Sequence, residues 1–192
     1  MSNKMKGVMI ISGGFYHMMD SEQNDVYIKG TITYEDFKKY NLYHTKKGRS
    51  GFFIFGVLFS LFLVLYNIDE LLFLILPLFM IFSIIVTGLA TLIITTAVRI
   101  RARREFNSDP FIKSEIRYII NENGITQQIS KRVNNYLEWD YILKGYELDD
   151  MFLIYVSKNK AIIIPKRFFA SNDDLHALKK IISRNTNRIK LK

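Results

Sequence analysis

The side chains that could carry out catalysis are few and are not arranged in a familiar motif. The three histidines, His17, His44 and His176, lie far apart, and none belongs to a pair with metal-ligand spacing. The chain has no cysteine, which excludes disulfides, thiolate metal sites and cysteine nucleophiles. The zinc-protease, EF-hand, nucleophile-elbow, Walker A and dinucleotide-binding signatures are absent. The sequence therefore predicts no catalytic residue, no metal site and no cofactor, and we do not expect an enzyme.

Adjacent acidic residues are the next pattern that could support chemistry. Each pair falls at a predicted helix start or turn, where the helix dipole and local backbone hydrogen bonds account for a carboxylate. We therefore interpret these pairs as structural or solvated. They are Glu35–Asp36, Asp69–Glu70, Asp149–Asp150 and Asp173–Asp174.

Positive charge is the more informative feature. The chain carries 27 Lys and Arg against 18 Asp and Glu, a net charge of +9, which suits an anionic partner such as acidic lipid. Nucleic acid is not expected, because no recognisable module interleaves aromatic residues with the cations. The cations of the predicted strand connections either form a scattered, solvated surface or gather into one site for a lipid headgroup or an acidic protein. These loop cations are Lys131, Arg132, Lys158, Lys160, Lys166 and Arg167.

The apolar residues are concentrated between residues 51 and 98, where Asp69 and Glu70 are the only charged side chains. A helix rises 1.5 Å per residue, so about 20 apolar residues cross a bilayer core of ~30 Å. Residues 51–68 and 71–98 are therefore predicted to form a two-helix transmembrane hairpin. Pro77 lies early in the second span, where a proline is best tolerated.

The flanks of the hairpin predict its orientation. Cations precede the first span and follow the second, and the connecting turn is acidic. Positive flanks stay on the cytoplasmic side, so we expect a multi-pass protein of the cell membrane with both termini in the cytoplasm. The topology determinants are Lys46, Lys47, Arg49, Arg99, Arg101, Arg103 and Arg104.

Small residues recur at four-residue intervals along both spans. Such stripes let helices approach closely in lipid. They explain either packing within the hairpin or a homo-oligomer interface, and the oligomeric state stays open. A transport path is not expected, because neither span contains an ionisable side chain. The packing residues are Gly56 and Ser60 in the first span and Ser83, Thr87, Thr91 and Thr95 in the second.

The segments outside the spans are predicted as a tail, a short helical segment, a linker and a domain. Residues 1–24 are expected to be a poorly ordered tail, and residues 99–110 a basic linker. Residues 25–50 hold a strand and then a helix, capped by Thr33 and Asp36, that runs to about Thr45. Its aromatic edge, Phe37, Tyr40 and Tyr43, lies either at the lipid headgroups or against the domain.

Residues 111–187 are predicted to form a strand-rich cytoplasmic domain. A hairpin of residues 116–120 and 125–130 turns at Asn121–Gly124, and short strands follow at 136–142, 145–148, 151–156 and 161–165. Trp139 is expected in the core. A final amphipathic helix begins at Ser171, with Asp174 completing its capping box. The predicted fold is thus an α+β membrane protein with a transmembrane hairpin, a small antiparallel sheet and a C-terminal helix.

Several segments resemble the YcxB-like family of bacterial membrane proteins. They are EIRYIINENGITQQIS, YLEWDYI and DMFLIYVSKNKAIIIPKRFF, together with ITYEDFKKYNLYHTKK before the spans. The resemblance implies a C-terminal domain similar to pleckstrin-homology domains. It implies no established activity and no family site residues.

Two functions fit these observations. In the first, the protein is a membrane-anchored binding module whose basic domain contacts acidic lipid or a partner protein, since anchoring raises the local concentration. In the second, it is a structural or assembly subunit that docks into a larger membrane complex through the small residues of the hairpin.

Overall fold

The computed structural model describes residues 25–66, 70–129 and 133–192. The predicted tail, the turn at residues 67–69 and the loop cations Lys131 and Arg132 lie outside the described residues. The described part is an α+β fold with three α-helices and two four-stranded sheets. The helices are α1 (Tyr34–Tyr66), α2 (Glu70–Ser108) and α3 (Asn172–Asn185). The strands are β1 (Val26–Thr31), β2 (Glu115–Asn121), β3 (Gly124–Ile129), β4 (Val133–Glu138), β5 (Lys144–Glu147), β6 (Met151–Tyr155), β7 (Ala161–Pro165) and β8 (Ile189–Lys190).

Helix α1 starts where its capping pattern predicts but continues much further. The Asp36 backbone N–H donates to Thr33 Oγ1 (3.3 Å) and the Thr33 backbone N–H donates to Asp36 Oδ2 (2.7 Å), which confirms the capping box. The predicted end near Thr45 is wrong, because the helix runs unbroken to Tyr66. No proline lies in this stretch, and Gly48 costs a helix only about 1 kcal/mol.

Helix α2 likewise extends beyond its predicted end at residue 98. It includes the arginine cluster and stops at Ser108, immediately before Asp109 and Pro110. Asp109 Oδ1 accepts from the backbone N–H of Phe111 (2.8 Å), so its side chain forms the turn that follows the helix. The predicted basic linker is therefore mostly helical, and Pro77 lies inside the helix.

Helices α1 and α2 pack as an antiparallel pair along most of their length. Near the domain the rings of Phe37 and Phe106 are 6.2 Å apart. Further along, Arg49 Nη1 donates to Thr95 Oγ1 (2.8 Å), and a Cβ on Gly56 would lie 2.6 Å from Thr87 Cγ2. The pairing thus continues from the sheets into the apolar half of both helices.

One helical segment among the described residues is long and apolar enough to cross a membrane. It is Leu76–Ser108, and only 6% of its most apolar window is buried inside the protein. The first span of the predicted hairpin, residues 51–68, does not meet this criterion and stays a prediction.

The strands form two sheets, not the single sheet that was predicted. Sheet 1 has the order β1-β2-β3-β4 and is antiparallel, and sheet 2 has the order β7-β6-β5-β8 with β8 parallel to β5. The chain leaves sheet 1 through a 3₁₀ turn at Trp139–Tyr141, where a continuous strand to residue 142 was predicted. Strand β1 precedes the helices but pairs with β2, from Val26 opposite Ile120 to Thr31 opposite Glu115.

The core lies between the sheets and α3. It includes Tyr118 and Ile125 of sheet 1, Phe152 and Ile154 of sheet 2, and Leu178 of α3. Trp139 is buried, as predicted, and its Nε1 donates to the carbonyl of Asn121 (3.0 Å). The predicted capping box of α3 is present, since Asp174 N–H donates to Ser171 Oγ (3.1 Å) and Ser171 N–H donates back to Asp174 Oδ2 (3.2 Å).

Gly30 in β1 lies against the ring of Phe168, in the chain that follows β7. A Cβ at this position would overlap the ring of Phe168, so we expect Gly30→Ala to destabilise the protein by about 1–3 kcal/mol. The matched control is Gly48→Ala in α1, where nothing lies within 4 Å and alanine favours the helix. Thermal unfolding in detergent, followed by circular dichroism, compares the two. Equal melting temperatures for Gly30→Ala and the unmodified chain would contradict the packing described.

Candidate lipid interface

The loop cations that the structure describes do not gather at one site. Lys158 and Lys160 are exposed in the turn between β6 and β7, whereas Lys166 and Arg167 follow β7 at its opposite end. The five residues of β7 separate the two pairs by roughly 16 Å at ~3.3 Å per residue. The alternative of one common anion site is therefore not supported for these four residues.

Lys166 is held inside the protein by a buried carboxylate. Glu147 on β5 has a side chain only 1% exposed, and its Oε1 accepts from Lys166 Nζ (2.6 Å) and from Lys179 Nζ of α3 (2.7 Å). Its Oε2 accepts from the backbone N–H of Lys192 (2.8 Å). Burial by itself raises the pKa of Glu147, but the hydrogen bonds from Lys166, Lys179 and Lys192 outweigh it and lower the pKa to about 2. Lys166 is thus part of the fold and not a free cation.

Arg167 is also engaged within the chain. Its Nη1 donates to Asp36 Oδ1 (2.7 Å), a second bond joins Nη2 to Oδ2, and Nη2 also donates to the carbonyl of Thr31 (3.1 Å). The Asp36 side chain is 7% exposed. Burial raises its pKa, yet the hydrogen bonds from Arg167 and Thr33 lower the pKa below its usual value. The bidentate pair fixes the first turn of α1 to the segment after β7.

The cations that flank the apolar halves of α1 and α2 on the side of the domain differ from Lys166 and Arg167, because they make no ion pair with a described residue. We call them the helix-end cations. All except Arg49 are exposed, and the antiparallel register of the helices places them at the same end of the pair. They are Lys46, Lys47 and Arg49 on α1 and Arg99, Arg101, Arg103 and Arg104 on α2. Uncompensated positive charge therefore lies where the apolar helices meet the sheets.

Helix α1 crosses sheet 2 and so decides which sheet edge lies nearest the apolar helices. Tyr40 Oη donates to the carbonyl of Asn159 (2.9 Å) in the turn before β7. One turn later, the Tyr43 ring lies 5.5 Å from that of Tyr146 on β5. The β5–β8 edge is thus closer to the apolar half than β7 is. The aromatic edge of α1 therefore packs on the domain, which is one of the two predicted positions, the other being the lipid headgroups.

Among the described residues, no three His, Cys, Asp or Glu side chains lie close enough together to hold a metal ion. The His44 ring stacks on Tyr155 at 5.8 Å, His176 lies apart on α3, and His17 is outside the described residues.

An apolar cavity of about 390 Å³ opens between α1, α2 and the two sheets. Its lining includes Phe37, Ile116 and Ile163, with the polar groups of Tyr118 and Gln127 among them. Tyr118 Oη donates to the carbonyl of Ile163 (3.3 Å) and accepts from Gln127 Nε2 (3.4 Å). Burial raises the pKa of Tyr118, so its hydroxyl stays protonated. Sequence reasoning missed this cavity, because its walls come from segments that are distant along the chain.

Comparisons with known proteins confirm the predicted resemblance. Residues 120–182, from the end of β2 into α3, match the family model described as "YcxB-like protein". The chain is 28% identical over 185 residues to "Uncharacterized protein YcxB" of Bacillus subtilis (strain 168), and the match covers 91% of this chain and 97% of that protein. It therefore includes the helices as well as the C-terminal domain. No solved structure matches the chain.

Glu147→Gln is expected to destabilise the protein by about 3 kcal/mol, because it leaves two partly buried ammonium groups without a counter-charge. Chemical unfolding in detergent measures the loss. Asp149→Asn is the control, since Asp149 is exposed and, within residues 25–66, 70–129 and 133–192, bonds only the exposed Lys192 side chain. Similar losses from the two substitutions would contradict the structural role of Glu147.

Acid should remove the same stabilisation. The folded-state pKa of Glu147 is about 2 against an ordinary value of 4.5, and that of Asp36 is lowered in the same sense. The stabilisation is thus complete above the ordinary values and is lost as the pH falls through the folded-state pKa values. Melting temperature between pH 7 and pH 3 should fall more steeply for the unmodified chain than for Glu147→Gln. Parallel pH curves would show that Glu147 does not carry this linkage.

Proposed function

We propose that this YcxB-like protein is an integral protein of the cell membrane, with residues 51–68 and 71–98 as a transmembrane hairpin and both termini in the cytoplasm. Its cytoplasmic domain is then a binding module that contacts acidic lipid of the inner leaflet. The observation that carries the proposal is the set of helix-end cations, which have no acidic partner among the described residues and flank the apolar helices on the side of the domain.

The exposure of large apolar side chains supports the hairpin. On α1, Phe55 is 66% and Leu58 is 58% exposed, and on α2, Ile93 is 70% exposed. A contiguous apolar surface of this kind is unfavourable in water and is what hydrocarbon requires. The paired small residues let these helices pack closely. In lipid, such packing stabilises helix association, because the hydrophobic effect does not act between helices there.

Electrostatics supports the contact with acidic lipid. A Lys or Arg near an anionic membrane surface contributes about 1 kcal/mol of attraction, within a Debye length of the surface. The helix-end cations of α2 occupy consecutive turns just beyond residue 98. In the proposed topology they lie at the level of the headgroups. The ion pair of Asp36 with Arg167 fixes the first turn of α1 to the domain.

The arrangement of the domain suits a pleckstrin-homology-like module, which we include in the proposal. Two small sheets and a C-terminal helix share one core. The loop cations Lys158 and Lys160 are exposed in the turn between β6 and β7, which α1 contacts at Tyr40, nearer its start than Lys46. They suit an acidic partner protein better than the lipid surface.

The assembly-subunit alternative finds less support in the helix pair. The small residues that it would use for docking contact each other within the chain, as at Gly56 with Thr87, and Thr95 accepts from Arg49. Docking into a larger complex would need another face of the hairpin.

The test of lipid contact uses the full chain, because β1 and α1 are integral to the domain. Its melting temperature is measured in nanodiscs of neutral phosphatidylcholine and in nanodiscs containing 30% phosphatidylglycerol. We expect a higher melting temperature with the anionic lipid. We expect this gain to shrink at raised salt and in the variant Arg99→Gln, Arg101→Gln, Arg103→Gln, Arg104→Gln.

The matched control for that variant is Lys158→Gln with Lys160→Gln, which should keep the gain. A melting temperature that is the same in both lipids would contradict the proposed lipid contact. So would a gain lost equally in the loop variant.

The topology is tested separately by cysteine labelling, for which the cysteine-free chain is a clean background. Single cysteines replacing Asp69 and Lys158 should react with an impermeant maleimide from opposite sides of the membrane. Labelling of both positions from outside intact cells would contradict the cytoplasmic placement of the domain.

A further inference from the structure

Two cavities adjoin at the helix-end cations of α1. The first, of about 330 Å³, lies between α1 and the turn from β5 to β6. The second, of about 370 Å³, lies beside the apolar halves of the helices and is lined by Phe53, Ile54 and Thr91. Lys46 and Arg49 line both cavities. The two cavities thus share two cations.

The first cavity is positively charged even though two carboxylates line it. Its charged side chains are Lys39, Lys46, Arg49, Lys192, Asp149 and Asp150, a net charge of +2. Asp149 is bonded to Lys192 and Asp150 to Lys39 (2.6 Å), so each carboxylate already has its own cation. The charges left over are those of Lys46 and Arg49, which make no ion pair with a described residue.

Arg49 is held in place without being neutralised. Its Nη1 donates to Thr95 Oγ1 and its Nη2 to the carbonyl of Leu42, both at 2.8 Å. These acceptors are neutral, and Nε has no hydrogen-bond partner in the part of the chain that the structure describes. A guanidinium has five N–H donors, so donors and a full charge remain for an anion. Fixing the side chain beforehand reduces the entropy that binding would cost.

We infer that the two cavities form a binding site for one anionic phospholipid, with its phosphate at Lys46 and Arg49 and one acyl chain along Phe53 and Ile54. This inference rests on the proposed membrane placement. Arg49 then lies about 3 Å and Lys46 about 8 Å outside the start of the span at residue 51, at 1.5 Å per residue. The headgroup layer is roughly 5–8 Å thick on each side of the hydrocarbon core, so both cations lie within it.

The second cavity distinguishes a lipid from a free phosphate ion. A soluble anion would use the cations alone, whereas Phe53, Ile54 and the methyl group of Thr91 offer apolar contacts to an acyl chain. The lipid would also contact both α1 and α2 at the level of the Arg49–Thr95 hydrogen bond. It would therefore bridge the two helices where they enter the domain.

The test is native mass spectrometry of the full chain released from nanodiscs of equal parts phosphatidylglycerol and phosphatidylcholine. We expect one phosphatidylglycerol to be retained in preference to phosphatidylcholine. The variant Lys46→Gln, Arg49→Gln should reduce that preference at least tenfold. The matched control is Lys47→Gln, which removes a neighbouring exposed cation that lines neither cavity. Thr95→Val removes the helix contact of Arg49 and keeps its charge, so it should reduce the preference less than the double variant does.

Three outcomes would overturn the inference. They are equal retention of the two lipids, equal losses in Lys47→Gln and in the double variant, and displacement of the lipid by 10 mM inorganic phosphate. The last would assign the cations to a soluble anion. Circular dichroism of each variant confirms folding. The nanodisc melting experiment tests the lipid contact of the α2 arginines separately. The lipid site at Lys46 and Arg49 can therefore be refuted while the proposed lipid contact is confirmed, and the proposed contact can be refuted while the site is confirmed.

Discussion

The attachment of the first turn of α1 to the chain after β7 depends on one ion pair, between the buried carboxylate of Asp36 and the exposed guanidinium of Arg167. Asp36 caps α1 through Thr33 and at the same time accepts two bonds from a guanidinium that follows β7. A buried carboxylate without a partner is strongly unfavourable, so the first turn of α1 and the end of sheet 2 must stay together. Since α1 is unbroken to Tyr66, whatever fixes its first turn also sets the direction in which the apolar half leaves the domain.

Glu147 is a second buried carboxylate that requires cationic partners, in this case within sheet 2. In a chain with a net charge of +9, this carboxylate holds two lysines and the backbone of a third residue, and so it joins β5, α3, the end of β7 and the C-terminal segment. The basic residues near the strands are in this way partly neutralised by the fold. The helix-end cations, unlike Lys166 and Arg167, make no ion pair with a described residue, which is why the proposed lipid contacts lie there and not on the loops after β7.

The pairing of α1 and α2 connects the helix-end cations to both the domain and the apolar surface. Residues from Phe37 to Gly56 on α1 and from Thr87 to Phe106 on α2 stay in contact across the point where polar sequence becomes apolar. The two ends of a continuous helix keep a fixed position relative to each other, because each turn is held by its own backbone hydrogen bonds. The domain, the helix-end cations and the apolar surface therefore form one body, and a lipid bound at Lys46 and Arg49 would contact all three.

Local features were predictable from the sequence. The capping boxes at Thr33 and Ser171 and the turn at Asn121–Gly124 each depend on residues within four positions of one another, and the resemblance to the YcxB-like family was readable from short segments. The full lengths of α1 and α2 were not predictable, because glycine and a cluster of charges weaken a helix without ending it. The separation of two sheets, the return of β1 to β2 and the pairing of Asp36 with Arg167, 131 residues apart, were decided only by tertiary structure. The physical reason is that an ion pair or a strand pairing forms between whichever groups packing brings together, and that packing depends on the whole chain.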